Sequence, residues 1–425
     1  MIFAATCFPL LMLESFWKNF VDWLGSLTLI DFLIVFWPLI LIDFVRSVGK
    51  AALLLLHALF IKFSGKKRWQ LEHFTPKVSI IIPAHNEEKV IENSINSALE
   101  TDYPNKEIIV VDDGSTDRTY QLAYPYAQKG LIKLLRRKTA SGSKSGALNY
   151  GMLFASGEVI VTVDADTLLE RDAIREAVKQ LANPKVSAVS GNVRILAGEH
   201  GRVNLLVKLQ AYEYLLSLEL GRRFNSLMGT LLIISGAFGA FWKSNVEHLG
   251  QYDKDTITED FDLTIKMRKL GKRLVFAENA VAWTFCPETW RAWVRQRLRW
   301  TRGQVETLKK HSDIFSKKNF DFRFVAALYD MLFMDVILLF IRFFWFFFVI
   351  IFLQSTFVYV LLLSMILYMG LEFLAIVTAG LLSPRKEDLR KVYLAPLVVL
   401  FYRPCYAVVR MKAYVDWLLK RQSRW

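Results

Sequence analysis

Apolar residues along this chain follow two regimes. From Leu27 to Val45 it reads LTLIDFLIVFWPLILIDFV, long enough to cross a hydrocarbon core of ~30 Å at ~1.5 Å per residue. The run predicts one transmembrane helix bent at Pro38, and the apolar stretch Ala51 to Phe63 extends it into the headgroup layer. Residues 1–16 are apolar but short and lack the basic start and small-residue cleavage site of a secretory signal, so an interfacial or partial membrane segment is expected. After Lys66-Lys67-Arg68 the second regime begins. Short β-branched runs (Val78 to Ile82, Ile108 to Val111, Val159 to Val163) alternate with helical-period stretches (Glu88 to Leu99, Arg171 to Leu181), which predicts an α/β domain with a mostly parallel sheet covered on both faces. From Pro287 the text turns basic and aromatic. Phe324 to Leu353 and Thr356 to Leu382, separated by Gln354 and Ser355, predict a membrane hairpin. Tyr393 to Val409 is apolar but interrupted by Pro396, Arg403 and Pro404, and a re-entrant or interfacial segment is expected there. The boundaries are 1–65 for the N-terminal membrane part, 66–285 for the α/β domain, 286–323 for amphipathic interface helices, 324–382 for the hairpin and 383–425 for the basic C-terminal segment.

Charge orients this arrangement. The net charge is +14. Residues 286–323 hold ten Lys/Arg against four Asp/Glu, and residues 383–425 ten against three. Nearly the whole excess therefore adjoins membrane segments, which by the positive-inside rule puts the α/β domain in the cytoplasm and the hairpin turn outside. No recognised nucleic-acid module accompanies the basic blocks, so nucleic acid is not an expected partner. Cys7, Cys286 and Cys405 are too scattered for a disulfide framework or a zinc site and suit a reducing compartment.

Candidate chemistry lies at the ends of predicted strands, where open α/β sheets bind ligands. The first strand runs into Pro83-Ala84-His85-Asn86-Glu87-Glu88, the second into Asp112-Asp113-Gly114-Ser115-Thr116-Asp117, and a third into Asp164-Ala165-Asp166. Taken singly, DDGSTD is also an ordinary turn and helix cap. Asp164 and Asp166 alternate by two and so leave an extended segment on one side. Converging carboxylates suit a hard divalent ion, and Mg²⁺ or Mn²⁺ takes one or two of them plus substrate phosphates. Lys144-Ser145-Gly146 opens a helical stretch suited to a diphosphate, although neither a Walker A loop nor a G-x-G-x-x-G fingerprint is present. Asp330, Asp335, Arg342 and Glu372 lie inside the hairpin runs. Charges there are costly, so ion pairs fixing helix packing and the polar lining of a wet passage, with Trp345 as a flat aromatic platform in it, are both open. Asp31 and Asp43 suggest partner contacts or the headgroup layer.

PAHNEE, VVDDGSTD, KSGALNYG, VDADT, TEDFDLT and QRLRW follow one another from about Val78 to Gly303. In order and spacing they resemble family 2 glycosyltransferases, specifically the membrane-embedded processive synthases of cellulose, chitin, hyaluronan and poly-N-acetylglucosamine. The WP-containing N-terminal helix, PETW…QRLRW…G and the tail QSRW are most similar to the bacterial biofilm poly-N-acetylglucosamine synthases. The resemblance implies a cytosolic GT-A domain in which Asp112 and Asp113, with Pro83, Asn86 and Glu87, hold the uridine of a UDP-sugar. It implies that Lys144 contacts the diphosphate, that Asp164 and Asp166 hold Mg²⁺ or Mn²⁺, and that Asp260, beside Glu259, is the general base. Ser235 and Gly236 would contact the acceptor, and Gln296, Arg299 and Trp300 would close over diphosphate and acceptor sugar. The expected protein is a multi-pass plasma-membrane enzyme extending a β-linked glycan, with a small auxiliary membrane subunit or self-association completing it. The alternatives are a hyaluronan-, chitin- or cellulose-type synthase, a non-processive transferase acting on a lipid, and a transporter or scaffold with an inactive nucleotide-binding domain.

Overall fold

The computed structural model describes residues 2–63, 74–315 and 321–419. The basic run Lys66 to Arg68 and the QSRW tail lie outside the described residues.

Eight strands form one sheet: β1 (Val78–Ala84), β2 (Lys106–Asp112), β3 (Lys133–Arg136), β4 (Val159–Val163), β5 (Thr167–Leu169), β6 (Val186–Gly198), β7 (Phe238–Trp242) and β8 (Arg273–Cys286). Their order is β3-β2-β1-β4-β7-β6-β8-β5. β1 pairs in parallel with β2 and β4, β2 with β3, and β6 with β8. β7 runs antiparallel between β4 and β6, and β5 antiparallel to β8. Every residue of β1 and β4 is buried, the pattern of a central parallel strand covered on both faces. One face packs Ile91, Ile95, Ile174 and Val178 of two helices onto Ile80, Ile82 and Val161. The other packs Ala147, Leu148 and Leu263 onto Ile81, Ile109 and Ile160. Because β1, β2 and β4 are parallel, their C-terminal ends share one rim, and the register sets Ala84 beside Asp112.

The membrane part is more continuous than the sequence suggests. A helical run extends from Leu29 to Phe63 and meets the preceding helix, Met12–Ser26, at 105°. Pro38 widens the run into a π-helical turn, Pro38–Phe44, and Phe36 just before it leaves helical geometry; Pro lacks the N–H that would close an ordinary turn. Phe322–Phe352 and Phe357–Leu382 form the hairpin. The segment expected to be interrupted is one helical run, Lys386–Leu418, long and apolar enough to cross a membrane. Pro396 and Pro404 sit at first-turn positions of its α-helical pieces, where no N–H is needed. This run lies alongside the helix Trp290–Lys310: Tyr402 meets Trp293, Tyr406 meets Arg297, and Trp417 meets Lys309.

The charges named in the apolar runs are paired between helices. Arg342 pairs with Asp43, which also accepts from the Tyr368 hydroxyl at 2.6 Å. Asp330 pairs with Arg46, and Glu372 with Arg403 at 2.7 Å. Asp335 pairs not with Arg342 but with Arg410 at 3.0 Å. Trp345 donates to the Val35 carbonyl at 2.7 Å, a packing contact between helices. Asp31 forms a capping box with Thr28, and Asp43 is an ion-pair partner.

Candidate active site

The shared rim opens into a cavity of about 980 Å³. Pro83, Glu87, Asp113, Lys144, Asp164, Asp166, Ser235, Gly236, Glu259, Asp260, Gln296, Arg299 and Trp300 all line it. Two expected donor residues do not. Asp112 is wholly buried, and its Oδ1 accepts from the Ser115 N–H at 3.1 Å, so it holds the turn. Asn86 adopts φ 59° and its Oδ1 accepts from the Thr116 N–H at 2.9 Å, tying the first rim loop to the second. Asp113 faces the cavity, fixed by the Ser141 N–H at 3.0 Å and by Arg137 at 3.1 Å.

Lys144 begins the helix Lys144–Leu153, capped by Ser143. Its ammonium pairs with Asp164, donates to the Gly236 carbonyl at 3.2 Å and lies 3.6 Å from Glu259. Burial opposes its charge, but Asp164, Glu259 and Asp260 outweigh it and hold the group protonated above its ordinary value. Glu259 and Asp260 open the helix Glu259–Lys269. Asp260 Oδ2 accepts from the Gly236 N–H at 3.0 Å, and Oδ1 from the Phe261 N–H at 2.8 Å. Burial, then Asp260, pushes the Glu259 carboxyl up while Lys144 opposes the shift.

Around Asp164 two further carboxyls of the cavity are raised. Burial, then Asp166 and Asp164, raises Glu87 to about 7; burial and Asp164 raise Asp166 to about 6. Such mutual repulsion among hard oxygen donors fits a divalent cation. Among the described residues no group of three or more acidic, histidine or cysteine side chains is placed to hold a metal ion; an ion held by Asp164 and Asp166 would need further ligands, such as phosphate oxygens or water.

Several lining residues escaped the motif reading. Glu213, Tyr214 and Arg222 come from a helical segment with no strand-end signature, and Gln304, Asp335, Tyr406 and Arg410 carry the cavity to the membrane helices. Asp335 is the exception, since its charge inside an apolar run already marks it as a candidate polar lining, and Arg410 carries the same signal.

A sheet of this order with carboxylates and a lysine at its rim is the GT-A-like arrangement of nucleotide-sugar transferases. The Glycosyl transferase family 2 model matches residues 79–250. The probable glycosyltransferase YdaM of Bacillus subtilis (strain 168) is 34% identical over 309 residues, 71% of this chain and 70% of the relative. The chain belongs to the family 2 glycosyltransferases. It is also 34% identical over 244 residues to the poly-β-1,6-N-acetyl-D-glucosamine synthase of Staphylococcus epidermidis, 57% of this chain and 58% of that synthase. The match thus spans little more than half of the synthase's length. The mannosyltransferase PcManGT from Pyrobaculum calidifontis, solved in complex with GDP-Man and Mn²⁺, shares the fold with a TM-score of 0.58 at 23% identity, over 89% of this chain and 97% of that one.

Proposed function

We propose that the chain is a processive, inverting glycosyltransferase that extends a β-linked N-acetylglucosamine polymer from UDP-N-acetylglucosamine at the cytoplasmic face and passes it across the membrane. One observation carries this reading: a single cavity joins the strand-end carboxylates to Trp300, Gln304, the hairpin residue Asp335 and its partner Arg410. Donor chemistry at one end and a membrane passage at the other are what a synthase that exports its product requires. Resemblance to the staphylococcal synthase favours the N-acetylglucosamine polymer.

In this reading Asp113 and the Pro83–Glu87 loop bind uridine, and Lys144 and Arg299 meet the diphosphate. Asp164 and Asp166 would hold Mg²⁺ or Mn²⁺, which when bound neutralises charge on the departing diphosphate as a Lewis acid; the PcManGT complex with Mn²⁺ supports that choice. Asp260, its carboxylate fixed by two backbone N–H groups, takes the proton of the acceptor hydroxyl as that oxygen bonds to the anomeric carbon. The bond to UDP breaks with its electron pair going to the diphosphate, and attack opposite the leaving group inverts the centre. Fixed positive charge at Lys144 acts where negative charge develops. The run Lys386–Leu418 is assigned to the cytoplasmic interface beside the helix Trp290–Lys310, which keeps both basic blocks on one side. A small membrane subunit or a second copy would complete the passage.

Purified protein given UDP-N-acetylglucosamine and Mg²⁺ or Mn²⁺ should release UDP and form polymer, and Asp260→Asn should lower both by ~10²- to 10⁴-fold. Undiminished turnover in that variant overturns the base assignment, and a stronger response to another UDP-sugar overturns the donor.

A further inference from the structure

Beside the cavity, the QRLRW motif is built into a charged, aromatic assembly whose other members, Glu213, Trp293, Tyr402 and Tyr406, lie outside all six motifs. Arg297, wholly buried, donates to Glu213 Oε2 at 2.7 Å and to Gln296 Oε1 at 3.0 Å. Its guanidinium lies 4.3 Å from the Trp300 ring centroid, 5.5 Å from that of Tyr406 and 5.7 Å from that of Trp293. The same Glu213 oxygen accepts from the Tyr402 hydroxyl at 2.5 Å, and Tyr402 accepts in turn from Trp293 Nε1 at 2.9 Å. Three elements meet here: the helix Leu205–Leu216, the helix Trp290–Lys310 and the run Lys386–Leu418. An arginine is suited to this position because its planar fork stacks and donates at once.

Glu213, Gln296, Trp300 and Tyr406 all line the cavity. The hydrogen bonds to Glu213 end on Oε2, which leaves Oε1 as a fixed acceptor. Gln296 spends its carbonyl on Arg297, so what it offers a ligand is amide N–H. The guanidinium covers one face of Trp300 and leaves the other for a flat, apolar partner. A pyranose ring presents that combination: C–H groups for stacking, hydroxyl protons for Glu213 and ring or hydroxyl oxygens for Gln296.

We propose that Glu213 is an acceptor-binding residue, its Oε1 accepting a hydroxyl proton from the sugar stacked on Trp300, and that Arg297 is the positioning residue that fixes both. This rests on the glycan-acceptor reading above and sharpens it. An ionised carboxylate only accepts hydrogen bonds. A uronic acid presented to Glu213 would set acceptor against acceptor, so the subsite selects a neutral sugar over an acidic one.

The test uses the full chain in detergent and calorimetry with two probes: a short β-linked N-acetylglucosamine oligosaccharide, and UDP with Mn²⁺. Glu213→Gln should weaken oligosaccharide binding about 10- to 100-fold, the loss expected for a hydrogen bond to a charged group, with UDP affinity unmoved. A hyaluronan fragment of equal length should bind the unmodified protein more weakly than the neutral oligosaccharide. Arg297→Lys keeps the charge but loses the fork, and should raise the acceptor KM about fivefold with the donor KM unchanged. Unaltered oligosaccharide affinity in Glu213→Gln, or equal losses for both probes, overturns the proposal. Should that variant misfold, Tyr402→Phe removes one bond to the same carboxylate and leaves no charge unpaired; an unchanged acceptor KM there is equally fatal. Lack of UDP release from the unmodified protein with any UDP-sugar would sink the proposed reaction, and the oligosaccharide titration would still judge Glu213.

Discussion

Glu107 illustrates how single carboxylates are tuned in this fold. Its Oε1 accepts from Ser79 Oγ at 2.5 Å and the Ser156 N–H at 2.7 Å, and its Oε2 from Lys133 at 2.6 Å. Burial alone would raise its pKa, but these bonds outweigh it and hold the group at about 2, against an ordinary 4.5. A depressed folded value stabilises above the ordinary pKa and is lost as pH falls from 4.5 towards 2. Glu107→Gln should therefore destabilise at pH 7, by ~1–3 kcal/mol, with the difference in thermal unfolding narrowing through that window. Asp166 has the opposite sign. Its folded value, near 6, means that the unliganded protein loses stability as pH rises from about 4 to 6, because the folded state holds the proton more tightly. Affinity for UDP with Mn²⁺ should accordingly fall between pH 7 and pH 5, and Asp166→Asn should flatten that dependence. Asp164 and Asp166 do line the cavity together, but not by the strand alternation that their two-residue spacing suggested: β4 ends at Val163, and the Thr167 N–H closes a turn on the Asp164 carbonyl at 3.0 Å. Neighbours such as Asp112 and Asp113 point opposite ways, and which one faces the cavity depends on the phase of β2, which their spacing does not encode.

At the scale of elements, the helix Trp290–Lys310 is brought against the start of the helix Glu259–Lys269 at a glycine. A Cβ on Gly303 would lie 2.4 Å from Thr258 Cγ2, one residue before Glu259-Asp260. Gly303→Ala should push the two helices apart, and because small displacements of a reacting group are costly, turnover should drop at least about tenfold with little change in expression. The central strands β1, β2 and β4 and the flanking helices ending at Leu99 and Leu181 were legible because β-branched runs and helical periods alternate there, whereas the short edge strands β3 and β5 and the helix Thr119–Gln128 were not. The antiparallel insertion of β7 was not, since Phe238-Gly239-Ala240-Phe241-Trp242 carries no direction in its pattern. The helical continuity of the C-terminal run was not legible, for a local reason: Pro396, Arg403 and Pro404 look like interruptions, yet the prolines occupy first turns and Arg403 is neutralised by Glu372. Glu213 was illegible altogether, because its importance comes from partners on the helix Trp290–Lys310 and the Lys386–Leu418 run.

At the scale of the whole molecule, the catalytic sheet and the membrane part are joined by buried charge. Arg194 of β6 donates to Glu219 at 2.7 Å and to Ser383 Oγ at 3.1 Å, and pairs with Asp388. Arg223 bonds the other Glu219 oxygen at 2.5 Å and the Leu382 carbonyl at 3.0 Å. Removing one partner of a buried pair strands the others, at ~3–5 kcal/mol, so Arg194→Met should lower the unfolding temperature of the entire protein in detergent rather than detach one region. The network also bears on how the molecule is made. Arg194 and Asp388 lie 194 positions apart, which at ~5–20 residues per second is roughly 10–40 s of translation. Only in the last part of that interval, after β8 ends at Cys286, is the sheet complete in sequence, and it still lacks the Asp388 carboxylate and the Ser383 hydroxyl that Arg194 engages, so the ribosome delivers this contact of the α/β domain only after both helices of the hairpin have been synthesised. Chains that stall before Ser383 should be the ones that quality-control proteases remove.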